Sequence, residues 1–171
     1  MSQTDTNRAY LKIDRVCQEL RRGGMVMLRI GTGAACLLRA AELARPDDRT
    51  ELQRLGGSGA LLGLTHTRME SLGRDQIGRL AVEQPSGDLL DDSISLMGER
   101  HGSLADYATR LLRIAKLLPA VLLARVSSRD PGQMQRLCED NSIMLIEGRD
   151  IDSHIEAEAQ SLRIAARASV P

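Results

Sequence analysis

The side chains that could do chemistry are few and widely spaced in this sequence. His66, His101 and His154 are its histidines, and none stands at a recognised metal-ligand spacing. His66 directly follows Thr65 at the end of a predicted strand, where α/β proteins often bind ligands. Since no motif surrounds any of the three, we interpret them all as surface histidines.

Neighbouring acids occur at Asp47-Asp48 and at Asp91-Asp92. Adjacent carboxylates at a helix start or in a loop are typical of caps and solvated turns. We therefore predict no acid–base pair at either place.

The cysteines, Cys17, Cys36 and Cys138, are odd in number and far apart. This pattern predicts reduced thiols and neither disulfides nor a zinc site. Cys36 is predicted to pack within a helix, because a reactive thiolate needs a cationic neighbour or a helix N-terminus. The residue types alone therefore indicate no catalytic constellation.

Glycine-rich segments offer one weak ligand site. Gly31-Thr32-Gly33 stands between a predicted strand and a predicted helix, where backbone N–H groups can bind a phosphate. It lacks the third glycine of a dinucleotide fingerprint and the Lys-Ser/Thr of a P-loop, so an ordinary tight turn is the favoured interpretation. The same holds for the run 56–59, GGSG.

Composition excludes several classes of protein. The chain has 171 residues, 23 Lys plus Arg and 23 Asp plus Glu, two Tyr, and neither Phe nor Trp. Zero net charge argues against nucleic-acid and anionic-membrane binding, and the lack of aromatics argues against base stacking. We predict a cytoplasmic globular domain, since no apolar run approaches the roughly 18 residues of a membrane span.

Hydrophobic periodicity and turn residues predict alternating helices and strands. Helices are predicted at 9–22, 34–44, about 47–55, 104–118, 130–140 and 149–168, with a short one between 65 and 72. Strands are predicted at 25–30, 60–64, 120–126 and 143–146. Each strand is apolar throughout, so both faces of the sheet must be covered, which predicts an α/β fold.

The same signals predict how the chain is divided. Residues 1–7 are polar and are predicted to be disordered, and residues 8–152 are predicted to form the domain. Within it, 83–103 is predicted to be a long loop. The segment 153–171 is predicted to be a C-terminal helix and a possible linker to a downstream domain.

The order of these pieces resembles an enzyme family. ELRRGGMVML, RAAELA and LGGSGALLGLTHTRMESLG look like the first half of 3,4-dihydroxy-2-butanone 4-phosphate synthase of riboflavin biosynthesis. The later run LADYATRLLRIAKLLPAVLLARVSSRDPGQMQRLCEDNSIMLIEGRDI looks like its C-terminal part. The resemblance covers most of residues 10–152 and implies a layered α-β-α domain with a mixed sheet.

The resemblance also implies a reaction, which this sequence is poorly equipped to perform. The family converts ribulose 5-phosphate with loss of formate, using magnesium and acid–base residues at a homodimer interface. Its metal-binding histidine falls on Leu104, the nearby glutamate on Asp106 and a further essential glutamate on Arg125. Its acidic loop corresponds to a stretch with no Asp or Glu between Glu19 and Glu42. We expect no magnesium or other metal site, because neither Leu nor Arg can bind a hard cation.

A second resemblance names a partner. RIAKLLPAVLLARV and SLRIAARASVP are similar to the N-terminal region of certain GTP cyclohydrolase II proteins, where a degenerate synthase-like domain precedes the cyclohydrolase. This implies a structural, dimerising or regulatory module, with the apolar face of helix 104–118 and the loop 31–35 near a dimer interface. Two alternatives stay open. One is an active synthase with a site rebuilt from His66, His101, Asp106 and Cys36, and the other is a domain that senses a sugar phosphate or nucleotide.

Overall fold

A computed structural model of the chain describes residues 3–65, 95–98, 101–128 and 130–168. The helices are α1 (Gln3–Arg21), α2 (Pro46–Gly56), α3 (Leu104–Ile114), α4 (Pro131–Asp140) and α5 (Gly148–Ala168). The strands are β1 (Val26–Ile30), β2 (Ala34–Ala40), β3 (Ala60–Leu64), β4 (Ser95–Gly98), β5 (Ala120–Arg125) and β6 (Met144–Glu147). A short 3₁₀ turn, Ala41–Leu43, connects β2 to α2.

The described strands form one mixed sheet in the order β4-β3-β5-β2-β1-β6. Strands β1 and β6 pair in parallel, as do β3 and β4, while β2 runs antiparallel to both β1 and β5. Helices α1, α3 and α5 pack on one face around Val16, Leu111 and Ile151. Helices α2 and α4 cover the other face through Leu52 and Met134. The predicted layered α-β-α fold with a mixed sheet is therefore confirmed.

The predicted helix 34–44 is wrong, because its first seven residues form the strand β2. Gly31 has a φ of +56°, which lets the turn 31–33 reverse the chain so that Ile30 pairs with Ala34 and Leu28 with Cys36. A strand covered on both faces is apolar throughout, and periodicity alone cannot tell such a run from a buried helix. The Ala and Leu residues of this segment have high helix propensity, which favoured the prediction of a helix.

Smaller corrections concern the ends of elements. Helix α1 begins at Gln3, inside the segment predicted to be disordered, and β4 lies inside the predicted loop 83–103, where it pairs with β3. Helix α3 ends at Ile114, four residues before the predicted end. The short helix predicted between residues 65 and 72 lies outside the described residues, as do His66 and Asp91-Asp92.

A buried ion pair fastens α2 to the centre of the sheet. The Arg39 guanidinium on β2 lies 3.2 Å from the Asp48 carboxylate and 2.6 Å from that of Glu51, and it donates a hydrogen bond to the Gly23 carbonyl. Asp48 is 6% exposed and accepts a hydrogen bond from the Arg45 N–H at the start of α2. The predicted capping role of this acid pair is thus carried out by Asp48, from inside the helix.

We expect Arg39→Met to lower the free energy of unfolding by about 3 kcal/mol, because it leaves the Asp48 carboxylate buried without its cation. Urea denaturation would measure the loss. The double variant Arg39→Met/Asp48→Asn removes the stranded charge and should recover a large part of that stability. Equal losses in the single and double variants would contradict this account.

Candidate functional site

The turn 31–33 and the three positions on which the family's catalytic and metal-binding residues fall lie at one edge of the sheet. Strands β1, β5 and β6 run in the same direction, so their carboxyl ends share that edge. The amino end of α3 also lies there, since a Cβ added at Gly148, just after β6, would stand 3.2 Å from the Tyr107 ring. The edge therefore collects the turn 31–33, Leu104, Asp106 and Arg125. We call it the α3 edge.

Asp106 serves as part of the cap of α3. Its carboxylate accepts a hydrogen bond from the Gly102 N–H at 2.8 Å, while its own N–H donates to the Ser103 hydroxyl at 3.2 Å. His101 and Arg110 lie 3.7 and 4.0 Å from the same carboxylate oxygen. With 6% exposure, this acid is held by the start of the helix and lies near the Arg110 cation, and it is not presented as a base.

Arg125 closes β5 opposite Cys36 of β2. Strand alternation places it on the α3 side of the sheet, with Val121 and Leu123, and its carbonyl accepts a hydrogen bond from the Ser58 hydroxyl at 2.8 Å. Burial raises the pKa of the Cys36 thiol to about 12, although the nearby Arg125 charge opposes this shift. The thiol is therefore protonated at neutral pH, which removes the nucleophile of the rebuilt-site hypothesis.

The residues present do not fit magnesium. The Leu104 side chain has no lone pair, and Arg125 carries a positive charge where a carboxylate would be needed. The Glu147 carboxylate at the same edge accepts a hydrogen bond from the Arg29 Nε at 3.0 Å. Within the described part of the chain, no cluster of three or more His, Cys, Asp or Glu side chains could hold a metal ion.

The phosphate-binding prediction for Gly31, Thr32 and Gly33 has lost its physical basis. The turn leads into β2, so no helix N-terminus points its N–H groups at a ligand there. A Cβ at Gly33 would meet no heavy atom within 4 Å, so the glycine is not required by a close contact within the chain. Phosphate binding stays a prediction without that support.

The remaining singled-out side chains are dispersed. His101 is fully exposed beside Asp106, as predicted for a surface histidine. His154 is 8% exposed and packs edge-on against the Tyr10 ring at 4.7 Å, so its surface assignment is wrong. The reason is that α1 covers this side of α5. Cys17, Cys36 and Cys138 are free and buried, which confirms the prediction of unpaired thiols.

Sequence reasoning missed a polar clamp between α3 and α5. The Tyr107 hydroxyl donates to the Asp152 carboxylate at 2.7 Å, and Arg110 donates to the same carboxylate at 2.7 Å. The Arg110 guanidinium also stacks 4.9 Å from the centre of the Tyr107 ring. Tyr107 and Arg110 lie 45 and 42 positions from Asp152 in the sequence, so no local sequence pattern predicts the contact.

Comparisons with known proteins identify the fold. A scan against models of known protein families gives no match. The chain is 26% identical to GTP cyclohydrolase-2 of Azospirillum brasilense over 183 residues, covering 95% of this chain and 47% of that protein. It thus spans about half the length of this curated relative.

Solved structures give the second comparison. A two-domain 3,4-dihydroxy-2-butanone 4-phosphate synthase from A. baumannii superposes with a TM-score of 0.65 at 15% identity, over 81% of this chain and 56% of that one. The Candida albicans synthase gives 0.66 at 14% identity, over 84% and 96%. The chain has the 3,4-dihydroxy-2-butanone 4-phosphate synthase fold. The predicted resemblance to this enzyme and to GTP cyclohydrolase II is confirmed. None of the described helices is long and apolar enough to cross a membrane.

The capping role of Asp106 gives a direct test. We expect Asp106→Ala to destabilise the domain by about 1–2 kcal/mol, the usual cost of losing a helix cap. Asp106→Asn keeps an oxygen acceptor for the Gly102 N–H and should lose less. Thermal denaturation of both variants measures the difference, and an unchanged Asp106→Ala protein would contradict the role.

The Tyr107 clamp can be observed by titration. The hydrogen bond to Asp152, together with burial, raises the pKa of Tyr107 above its ordinary value of 10.0. Since the chain has two tyrosines and no tryptophan, tyrosinate absorbance of the Tyr10→Phe variant reports Tyr107 alone. We expect a midpoint above 10 that falls toward 10 in the added Asp152→Ala variant. A midpoint unaffected by Asp152→Ala would contradict the clamp.

Linkage gives the sign of the effect on stability. A raised pKa in the folded state means that the folded protein holds the Tyr107 proton more tightly than the unfolded chain does. The clamp therefore contributes its full stability below pH 10, and this contribution is lost as the pH rises through the folded pKa.

Proposed function

We propose that this chain is a catalytically degenerate 3,4-dihydroxy-2-butanone 4-phosphate synthase-like domain. In this proposal it serves riboflavin biosynthesis as a structural, dimerising or regulatory module of a cytoplasmic GTP cyclohydrolase II protein. The observation that carries the proposal is the α3 edge: the fold is retained, while Leu104 and Arg125 stand where the resemblance expects a metal ligand and an essential acid. The likeness to GTP cyclohydrolase-2 supports the pathway.

The chemistry of the edge argues against turnover. Abstraction of a proton next to a carbonyl needs a positioned base, which is typically worth about 10²–10⁴ in rate. Asp106 is engaged by the Gly102 N–H and lies near Arg110. Glu147 is paired with Arg29. A carboxylate that already neutralises an arginine or caps a helix is a poor base and a poor magnesium ligand. These carboxylates therefore stabilise the fold and are poorly suited to catalysis.

The active-synthase alternative has weak support among the described residues. Its proposed thiol, Cys36, is fully buried and protonated, and Asp106 is engaged in the cap. The ligand-sensing alternative has one favourable observation. The exposed turn 31–33 and Arg125 share the α3 edge, and an arginine suits the phosphate of a sugar phosphate or nucleotide.

Incubation with ribulose 5-phosphate and Mg²⁺, followed by an assay for formate, tests the proposal. We expect no formate above background, while an established synthase assayed in parallel releases it. Formate release that disappears in Asp106→Ala would overturn the proposal in favour of an active enzyme. Thermal stabilisation by ribulose 5-phosphate without formate would instead support the sensing alternative.

The dimer interface expected near helix α3 and the loop 31–35 stays a prediction. The apolar face of α3, including Ala108, Leu111 and Leu112, is buried on the chain's own sheet, so it is not available to a second copy. Hydrophobic periodicity is the same for a helix that packs on its own chain and for a helix that packs on a second copy, so the sequence alone does not distinguish the two. A dimer interface in this region would therefore use the exposed turn 31–33 and not the buried face of α3.

A further inference from the structure

Three loops meet at the edge of the sheet opposite the α3 edge, where β1 and β5 begin and β2 ends. The Arg21 Nε donates a hydrogen bond to the Ala115 carbonyl at 2.8 Å, which joins the end of α1 to the end of α3. The Leu118 N–H donates to the Glu42 carboxylate at 2.8 Å, which joins the loop before β5 to the turn after β2. These loops form one surface, which we call the α1 edge: residues 21–24, 41–47 and 115–119.

Two leucines are exposed on the α1 edge. Leu118 is 61% exposed and Leu43 is 37% exposed, although both are large apolar residues. Glu42, the neighbour of Leu43, holds the Leu118 N–H, so the two leucines belong to one patch. A Cβ added at Gly23 would lie 3.7 Å from that of Leu43, so the end of α1 borders the same patch.

Basic side chains outnumber acidic ones on this edge, although the net charge of the whole chain is zero. The α1 edge has the cations Arg21, Arg22, Arg45 and Lys116 and the acids Glu42 and Asp47. Arg22, Arg45 and Lys116 are exposed, and none of the three forms an ion pair with another described residue. The exposed leucines therefore lie among cations whose charge is not neutralised by the described part of the chain.

Two of these cations occupy positions where local structure favours other residues. Lys116 has a φ of 59°, in the left-handed region that favours glycine at the end of a helix. Gly23 has the corresponding place after α1, with a φ of 76°. Arg45 is the N-cap of α2, where Ser, Thr, Asp and Asn are favoured and where the helix dipole is unfavourable for a cation. Since the fold itself does not call for either charge, both indicate a contact with another molecule.

We propose that the α1 edge docks a segment of another protein in which apolar side chains are flanked by carboxylates. Leu43 and Leu118 contact the apolar side chains, while Arg22, Arg45 and Lys116 pair with the surrounding acids. Charge complementarity selects this occupant, because the patch itself is basic. This inference goes beyond the proposed function and does not depend on catalytic degeneracy.

The chemistry of the edge favours a protein segment over a nucleic acid or a membrane. Those polyanions are attracted by a large net positive charge, and this chain has none. A patch built around two leucines also covers less than the roughly 1,200 Å² of a standard interface. We therefore expect a weak complex, with a Kd on the order of 100 μM.

Fluorescence anisotropy with the 171-residue chain tests the docking. The probe is a fluorescein-labelled peptide that repeats the unit Glu-Leu-Leu-Glu. We expect it to bind, and to bind several-fold more weakly at about 0.5 M salt because salt screens exposed charges. A peptide with Lys in place of Glu and a peptide with Ser in place of Leu should both fail to bind.

Variants of the apolar patch locate the binding surface. Leu118→Glu should weaken binding by at least about tenfold, since it removes an apolar contact and repels the carboxylates. Leu11→Glu is the matched control, because Leu11 is 57% exposed near the middle of α1, away from the patch, and this variant should bind normally. Circular dichroism should show both variants folded, since both side chains are largely exposed.

Lys116→Gly separates docking from folding. Glycine fits the left-handed conformation better than lysine, so the melting temperature should rise while peptide binding weakens several-fold. Arg22→Ala should also weaken binding, whereas Arg15→Ala, at an exposed position earlier on the same helix, should not.

Several outcomes would overturn the proposal. The first is no binding of the acidic peptide at about 1 mM chain, and the second is equal binding of the Lys peptide. Binding that survives both Leu118→Glu and Lys116→Gly would show that the peptide lies elsewhere. Binding of phosphatidylglycerol vesicles without binding of the peptide would assign the edge to a membrane instead. The formate assay is independent of all these results, so failure here leaves the test of catalytic degeneracy intact.

Discussion

Strand β2 is the element on which the rest of the structure depends. It lies between β1 and β5 and pairs with both, so it joins the β6-β1 side of the sheet to the β5-β3-β4 side. The turn 31–33 makes this possible, because the positive φ of Gly31 reverses the chain within three residues. Cys36, Leu38 and Ala40 lie in the core cluster that includes residues of α1 and α3, while Ala35 and Leu37 lie in the cluster with Leu52 of α2 and Met134 of α4.

The charged residue of β2, Arg39, shows how closely this central strand constrains the residues packed against it. Arg39 points to the α2 face, and burial there is tolerable only because Asp48 and Glu51 of α2 are placed to neutralise it. At the opposite end of the strand, Ala34 and Cys36 reach the α3 edge, where Cys36 pairs with Arg125. One strand thus fixes both the packing of α2 and the surroundings of the candidate site.

Local signals were sufficient for elements with clear ends. The Gly pair after α1, Pro119 before β5 and the Asp130-Pro131 start of α4 each mark a boundary that the chain itself must respect. Strand β2 has no such boundary residue. An apolar run that is buried on both faces also shows no hydrophobic periodicity, so the sequence did not distinguish this strand from a helix. The clamp of Tyr107 with Asp152 also lay beyond sequence reasoning, since it forms only when β6 brings the start of α5 beside α3. The positions of Leu104, Asp106 and Arg125 came from family resemblance, and the fold then placed them at one edge.

At the α3 edge, the side chains at the candidate site positions contribute to the stability of the fold. Active sites hold polar groups in partly buried positions, at a cost in stability that selection for catalysis maintains. Here Leu104 is 6% exposed and contributes to the core, and burying such a side chain stabilises a domain by about 1.5–3 kcal/mol. Asp106 likewise contributes a cap and Glu147 a pair with Arg29. Each of these three side chains therefore contributes to folding at the edge of the core built from α1, α3 and the sheet.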